Sequence, residues 1–310
     1  MQCFYITQEE KMMQISIHQI KEVNRPYCVI LSKEEWKRVY QTFNVSEMIK
    51  EACLNIGESN TVEFYGQYDL GILQRMKWEQ GSYRADSVRF LSYKKALFII
   101  VDELYVWLNT LMTTLINEKE IHYTLGYLFY RLIDCVIAED KKYLEQMEKR
   151  TEQLEEEVLN EVVQHFIQDI IGIRKQITIF KRHYDPLADI IEDFISNENE
   201  MCTQEDIRYF KILKNRINRL NHLIDTVDDY ATHVREAYDA QIDIRLNRIM
   251  KYFTLMTSLF FPLTLIVGWY GMNFTSMPEV SWKYGYLYVI ILSILSSILC
   301  LYFFKKKKWL

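Results

Sequence analysis

Two uncharged, apolar runs close the chain: Tyr252 to Tyr270, 19 residues, and Tyr284 to Phe304, 21 residues. As helices rising about 1.5 Å per residue, each reaches across the roughly 30 Å of a bilayer's hydrocarbon. About a dozen residues separate them, with Pro278 to break a helix, so the pattern predicts a transmembrane hairpin. Before the first run, from Thr203, neither Gly nor Pro occurs until Pro262. Apolar residues recur there at Ile207, Phe210, Leu213, Ile217, Leu220, Ile224, Val227, Ala231, Val234, Tyr238 and Ile242. Steps of three and four make a packing seam on one long helix, with Thr203 as its N-cap. Such a helix is not stable alone; it needs copies of itself or neighbouring helices.

The remaining chain reads in two parts. Val62 to Leu73 and Ser87 to Leu104 are rich in β-branched and aromatic residues and predict strands, while Pro26 to Gly57 carries a helical pattern with Ser32 as an N-cap. Ile121 to Ser196 is helical and heavily charged, and Pro186 is expected to kink or end a helix near Asp185. The fold class expected is an α+β cytoplasmic domain followed by long helices and a two-helix transmembrane hairpin, mainly α overall. Its parts are residues 1–120 (α/β domain), 121–202 (helical hairpin region), 203–251 (stalk helix), 252–270 (first span), 271–283 (external loop), 284–304 (second span) and 305–310 (basic tail).

Charge sharpens the division. Residues 251–310 hold six lysines against Glu279; removing that +5 from the net −5 leaves −10 on residues 1–250. An acidic body disfavours nucleic acid as a partner and suits work among cations. Lys305 to Lys308 after the second run, and Arg245, Arg248 and Lys251 before the first, place both termini in the cytoplasm of a cell-membrane protein. Trp269, Tyr270, Trp282, Tyr284, Tyr286 and Tyr288 form an aromatic belt at the other surface. The N-terminus lacks a basic region followed by an apolar core, so no cleaved signal peptide is expected. The six cysteines follow no ligand spacing and are expected to be reduced.

The first span has a second stripe: Asn247, Met250, Phe253, Thr257, Phe261, Thr264 and Gly268 share one helix face. Small and hydroxyl residues at this spacing serve helix packing, and they serve equally as a pore lining with an apolar constriction. A hairpin of this kind can also do no more than anchor a soluble domain. Phosphate-loop, dinucleotide, zinc-protease and nucleophile-elbow motifs are lacking, and the six histidines lie far apart, so catalysis is not expected.

The stretch FFPLTLIVGWYGMNFTSMPEVSWKYGY, with a second span and KKKKWL after it, closely resembles the CorA family of magnesium channels. The close resemblance covers the last 60 or so residues; the rest is similar in layout. It implies five subunits around one pore lined by the first span, with the GMN triplet Gly271, Met272 and Asn273 as the filter and Asn273 facing the ion. Asn247, Met250, Phe253, Phe261 and Thr264 fall on pore-lining positions of that family. The implied function is Mg²⁺ uptake, with Co²⁺ or Ni²⁺ as further cargo, closed by Mg²⁺ bound between cytoplasmic domains as a regulatory ligand.

The chemistry agrees with the resemblance. Mg²⁺ sheds its octahedral water reluctantly, and neutral amide oxygens accept hydrogen bonds from that shell without stripping it. Gly271 suits a sharp helix exit with positive φ. The sequence departs from the family at Thr275, where an acid is expected, leaving Glu279 as the external loop acid, and at Phe253 and Phe261. Candidate regulatory acids are Asp225, Asp228 and Asp229 on one helix face and Glu236, Asp239 and Asp243 on another, although solvated acids of this kind are common on helices. The alternatives are a zinc transporter of the same superfamily and a non-conducting membrane-anchored sensor or scaffold.

Overall fold

The computed structural model describes residues 1–7, 11–20, 25–57, 59–65, 68–79, 82–103, 105–118, 123–160, 165–196, 202–272, 277 and 282–307. Two compact units result: Met1–Glu157 with Val163–His233, and Val158–Val162 with Val234–Leu310.

The first unit is built on a seven-stranded sheet of order β2-β1-β3-β7-β6-β5-β4. Its strands are β1 (Gln2–Ile6), β2 (Met12–Ile15), β3 (Tyr27–Ser32), β4 (Thr61–Tyr65), β5 (Tyr68–Glu79), β6 (Ser82–Tyr93) and β7 (Ala96–Val101). Among the described residues only β3 and β7 pair in parallel; the other pairings are antiparallel. Strand β3 was expected to lie within a helical segment. Its run YCVIL is apolar on both faces because the sheet is covered on both, and such a run carries no alternation to distinguish it.

Helices α1 (Ile17–Ile20), α2 (Lys33–Val39) and α3 (Glu47–Asn55) occur between the early strands, and α2 begins as the sequence predicts. The Ser32 hydroxyl accepts from the Glu35 N–H at 3.2 Å while the Glu35 carboxylate accepts from the Ser32 N–H at 2.8 Å, a reciprocal cap. Trp36 on α2 is fully buried 5.2 Å from the Phe98 ring, in a core with Leu31, Leu70, Leu91 and Ile100. Helix α4 (Val106–Asn117) follows, beyond the last predicted strand segment, and α5 (Leu125–Val136) sets Phe129 4.6 Å from Phe90 of the sheet.

Helices α6 (Asp140–Leu159), α7 (Phe166–Ser196) and α8 (Gln204–Tyr270) complete this region. Helix α7 runs through Pro186, so of the expected kink or end near Asp185 the end does not occur. An interior proline costs about 3 kcal/mol. Burial of Phe180, Tyr184, Leu187, Ile190 and Ile191 along α7, at roughly 1.5–3 kcal/mol each, outweighs that loss.

The seam of α8 finds its partners inside the chain. Phe210 stacks on Phe194 of α7 at 5.1 Å, Lys181 of α7 pairs with Asp228, and the Tyr230 hydroxyl donates to Glu155 of α6 at 2.6 Å. At the start of α8, Thr203 and Asp206 exchange capping hydrogen bonds, and the Asp206 carboxylate also takes the Thr124 hydroxyl. Gly126 is required by that docking, since a Cβ there would lie 2.5 Å from Asp206 Cγ. From Phe210 to Val234 the seam is buried, whereas Tyr238 and Ile242 are half-exposed.

Candidate ion path in the apolar helices

Within the second unit, the last third of α8 and α9 (Gly285–Lys306) are long and apolar enough to cross a membrane. Their large side chains are open to the surroundings: Phe253 is 66% exposed, Phe261 68% and Leu299 67%. In water that exposure would be untenable; in hydrocarbon it is the expected state.

The two helices touch where the backbone needs help. Pro262 has no N–H, which removes the usual donor from the carbonyl of Ser258 four residues before it. The Cys300 thiol of α9 donates to that oxygen at 3.4 Å. Sequence reading left Cys300 as a scattered thiol, although the proline already marked which carbonyl would lack a partner. Cys300→Ala is therefore expected to lower stability by about 0.5–1 kcal/mol while Cys300→Ser, which keeps a donor, restores it. Thermal unfolding in detergent checks this, and equal midpoints for all three proteins would refute the contact's role.

On α8, Leu255, Ser258, Leu259, Pro262, Leu263 and Ile266 are half-buried. At about 100° per residue, the stripe Met250, Phe253, Thr257, Phe261, Thr264 and Gly268 lies on the opposite side, and every member is exposed, as is Asn247. A shallow apolar hollow of 360 Å³ lies there, lined by Phe261, Thr264, Leu265, Gly268, Trp269 and Met272. Nothing comes within 4 Å of a Cβ placed on Gly268, so no contact inside the chain requires a glycine there.

The stripe's hydroxyls have a fixed polarity. Thr257 donates to the Phe253 carbonyl at 2.7 Å and Thr264 to the Phe260 carbonyl at 2.9 Å. With each hydrogen committed to the helix, the oxygen lone pairs remain to accept hydrogen bonds from outside.

Gly271 closes the helix with its N–H on the Val267 carbonyl at 2.9 Å. Its backbone is not in the left-handed region, contrary to the reason expected for a glycine there. Close approach supplies another reason: a Cβ would lie 2.9 Å from the Val267 oxygen. The Met272 N–H reaches the Trp269 carbonyl at 3.4 Å. Asn273, Thr275 and Glu279 lie outside the described residues.

At this end Trp282 packs against Tyr284 and Tyr288, with ring centroids 6.0 and 6.5 Å apart. Beyond the other end of α9, Lys307 lies over the Phe303 ring. Aromatic rings at one end and lysines at the other are the arrangement of a helix seated in a bilayer.

The candidate regulatory acids are dispersed. Asp225 and Asp228 converge on the Lys181 ammonium at 3.1 and 2.8 Å, and hydrogen bonds to Asp228 and then Asp225 raise the pKa of that lysine. Asp229, Glu236, Asp239 and Asp243 are exposed. Among the described residues no three His, Cys, Asp or Glu side chains of one chain are grouped to hold a metal ion.

The sequence profile of the CorA-like Mg²⁺ transporter protein family matches residues 28–306. The chain belongs to this CorA family. A cobalt/magnesium transport protein CorA of Thermotoga maritima is 25% identical over 284 residues, 88% of this chain and 79% of the relative. A magnesium transport protein CorA of Helicobacter pylori is 44% identical over 78 residues, 25% of this chain and 24% of the relative. The fold matches the complete structure of the CorA magnesium transporter from Methanocaldococcus jannaschii with a TM-score of 0.84 at 20% identity, over 100% of this chain and 98% of that one. As a CorA-family chain it is a membrane transport protein and not an enzyme, and the α8–α9 hairpin is its membrane part.

Proposed function

We propose that five copies of the chain enclose a channel that admits Mg²⁺, and secondarily Co²⁺ or Ni²⁺, to the cytoplasm down its electrochemical gradient. The first span lines the path with Asn247, Met250, Phe253, Thr257, Phe261, Thr264 and Gly268. The filter is the Gly271–Met272–Asn273 triplet, with Glu279 at the outer mouth. The observation that carries this reading is the exposed stripe of α8 on the side away from α9, with threonine oxygens turned into acceptors. A hydrated dication presents water hydrogens outward, so oxygens of this polarity meet its shell.

No ATP is needed. An inside-negative potential supplies about 2.3 kcal/mol per charge per 100 mV, doubled for a dication. The membrane is the cell membrane, with both termini on the cytoplasmic side where Arg245, Arg248, Lys251 and Lys305 to Lys307 collect. Internal Mg²⁺ closes the path as a regulatory ligand, bound by acids of adjoining copies, with Asp229, Glu236, Asp239 and Asp243 as candidates. Asp225 and Asp228 must first give up Lys181.

Reconstitution in liposomes tests the proposal. Mg²⁺ influx that grows with an inside-negative potential and slows at millimolar internal Mg²⁺ is the expected result. Preferential Zn²⁺ flux would make the chain a zinc transporter, and no flux of any dication would leave a sensor or scaffold. A second outcome concerns the apolar belt, which closes by excluding water. Phe253→Asn wets that position, and removing about 1.4 kcal/mol of barrier raises flux at high internal Mg²⁺ about tenfold. Unchanged closure in this variant would place the constriction elsewhere.

A further inference from the structure

A cleft of 640 Å³ in the first unit is lined by Lys33, Arg89, Asp102, Arg182 and His183, with Ile72, Ala85 and Ile179 as its apolar wall. It carries three cations and one carboxylate in a body that is otherwise acidic. Asp102 is shared: it pairs with Lys33 and takes Arg89 Nη1 at a long 3.4 Å.

Arg89 is in the middle of β6, in register with Ile72 of β5 and Ile100 of β7, and only 7% exposed. Its Nε–H is buried with no hydrogen-bond partner. A guanidinium between two isoleucines, with one long contact to a carboxylate, is costly unless something else meets it.

The second unmet donor follows from a tautomer argument. Asn60 Oδ1 accepts from the Gln74 backbone N–H at 2.7 Å, which fixes the amide so that Nδ2 faces His183. Nδ2 donates to the His183 carbonyl at 2.9 Å and lies 3.1 Å from His183 Nδ1. Nδ1 must therefore accept, and the ring hydrogen belongs to Nε2. Nε2 is buried and without a partner, on a residue 5% exposed. Burial pushes the His183 pKa down to about 4, so the ring remains a neutral donor at physiological pH.

Arg89 and His183, each with a buried donor lacking an acceptor, line one cavity together with an excess of positive charge and an apolar wall. Buried polar groups are met in the great majority of cases, so the pair calls for an acceptor. We propose that this cleft binds a small organic phosphate, whose phosphate oxygens take the Arg89 and His183 donors while its organic part lies along Ile179. A planar guanidinium suits the bidentate geometry of phosphate, Arg182 and Lys33 at the opening add charge, and the volume is of the size that holds a small ligand.

Isothermal titration of the full-length protein in detergent, in Mg²⁺-free buffer with a chelator, tests this with ADP and inorganic phosphate as probes and citrate as a non-phosphate anion. Saturable binding of ADP or phosphate is expected, with citrate weaker. Arg89→Gln removes a charged hydrogen bond and weakens binding about tenfold or more. Because Arg89 is buried, Arg182→Gln on an exposed residue serves as the variant that keeps the fold, with a smaller loss of affinity and a shallower salt dependence. The proposal is overturned if millimolar ADP and phosphate give no saturable heat, if citrate binds as tightly as both, or if binding is unaltered in both variants.

Discussion

Replacing Asn273 with alanine is expected to abolish Mg²⁺ entry into liposomes while leaving the assembly intact. The expectation follows from the ion's chemistry. Mg²⁺ dehydrates reluctantly, so a filter has to hold the hydrated ion through its water hydrogens. Five carboxamide oxygens at the end of five first spans would accept from that shell, at about 0.5–1.5 kcal/mol per hydrogen bond. Losing all five removes several kcal/mol, a loss of about a hundredfold or more. Gly271 allows the last turn of α8 to close on Val267. Aspartate at 273 separates charge from polarity: five carboxylates bind a dication too tightly to release it, so Asn273→Asp slows flux instead of restoring it. Gel filtration of each variant guards against loss of assembly, and an alanine variant with wild-type flux would eliminate the filter.

How much of this was legible in the sequence depended on local pattern. The long helix declared itself because Thr203 to Phe261 has no breaker and its seam repeats in threes and fours. The two apolar runs stand out because 19 and 21 uncharged residues each match the thickness of a bilayer's hydrocarbon. Strand β3 was misread, and helix α4 was not predicted as an element. YCVIL is apolar throughout because both faces of the sheet are covered, so it carries no alternation, whereas α4 is held by Leu108, Leu111, Met112 and Leu115 on one buried helical face. At Pro186 the helix continues because tertiary burial along α7 exceeds the local penalty.

The exposed stripe of α8 was legible for the same reason. It lies on one helix and needs only the helical period, whereas the partner of the Ser258 carbonyl comes from 42 residues away. The organic phosphate cleft was not legible at all. Asn60 and His183 are 123 positions apart, and nothing in either neighbourhood announces the other.

The second large effect concerns pH, and it is expected to appear only when one of two opposing groups is removed. Asp140 begins α6 in a buried setting, where its carboxylate accepts from the Tyr184 hydroxyl at 2.6 Å while Oδ1 has no partner. Desolvation raises its pKa from 3.8 to about 6 and Glu139 adds to the rise; Tyr184, Arg75 and Arg216 oppose it, and Tyr83 is also close enough to feel its charge. A raised folded pKa means that its stability contribution is fully present below 3.8 and is lost as pH rises through about 6. His183 runs the other way: with its pKa lowered from 6.5 to about 4, its contribution is present above 6.5 and is lost as pH falls through about 4. At 1.36 kcal/mol per pKa unit each amounts to about 3 kcal/mol, so the two slopes nearly cancel across that window. Asp140→Asn keeps an acceptor for Tyr184 but no longer titrates, which leaves the His183 slope exposed. Thermal unfolding of the detergent-solubilised variant is therefore expected to show a midpoint that falls steeply from pH 6.5 to 4, relative to wild type, together with higher stability at pH 7. Parallel curves for the two proteins would mean that Asp140 titrates normally and that its burial costs nothing.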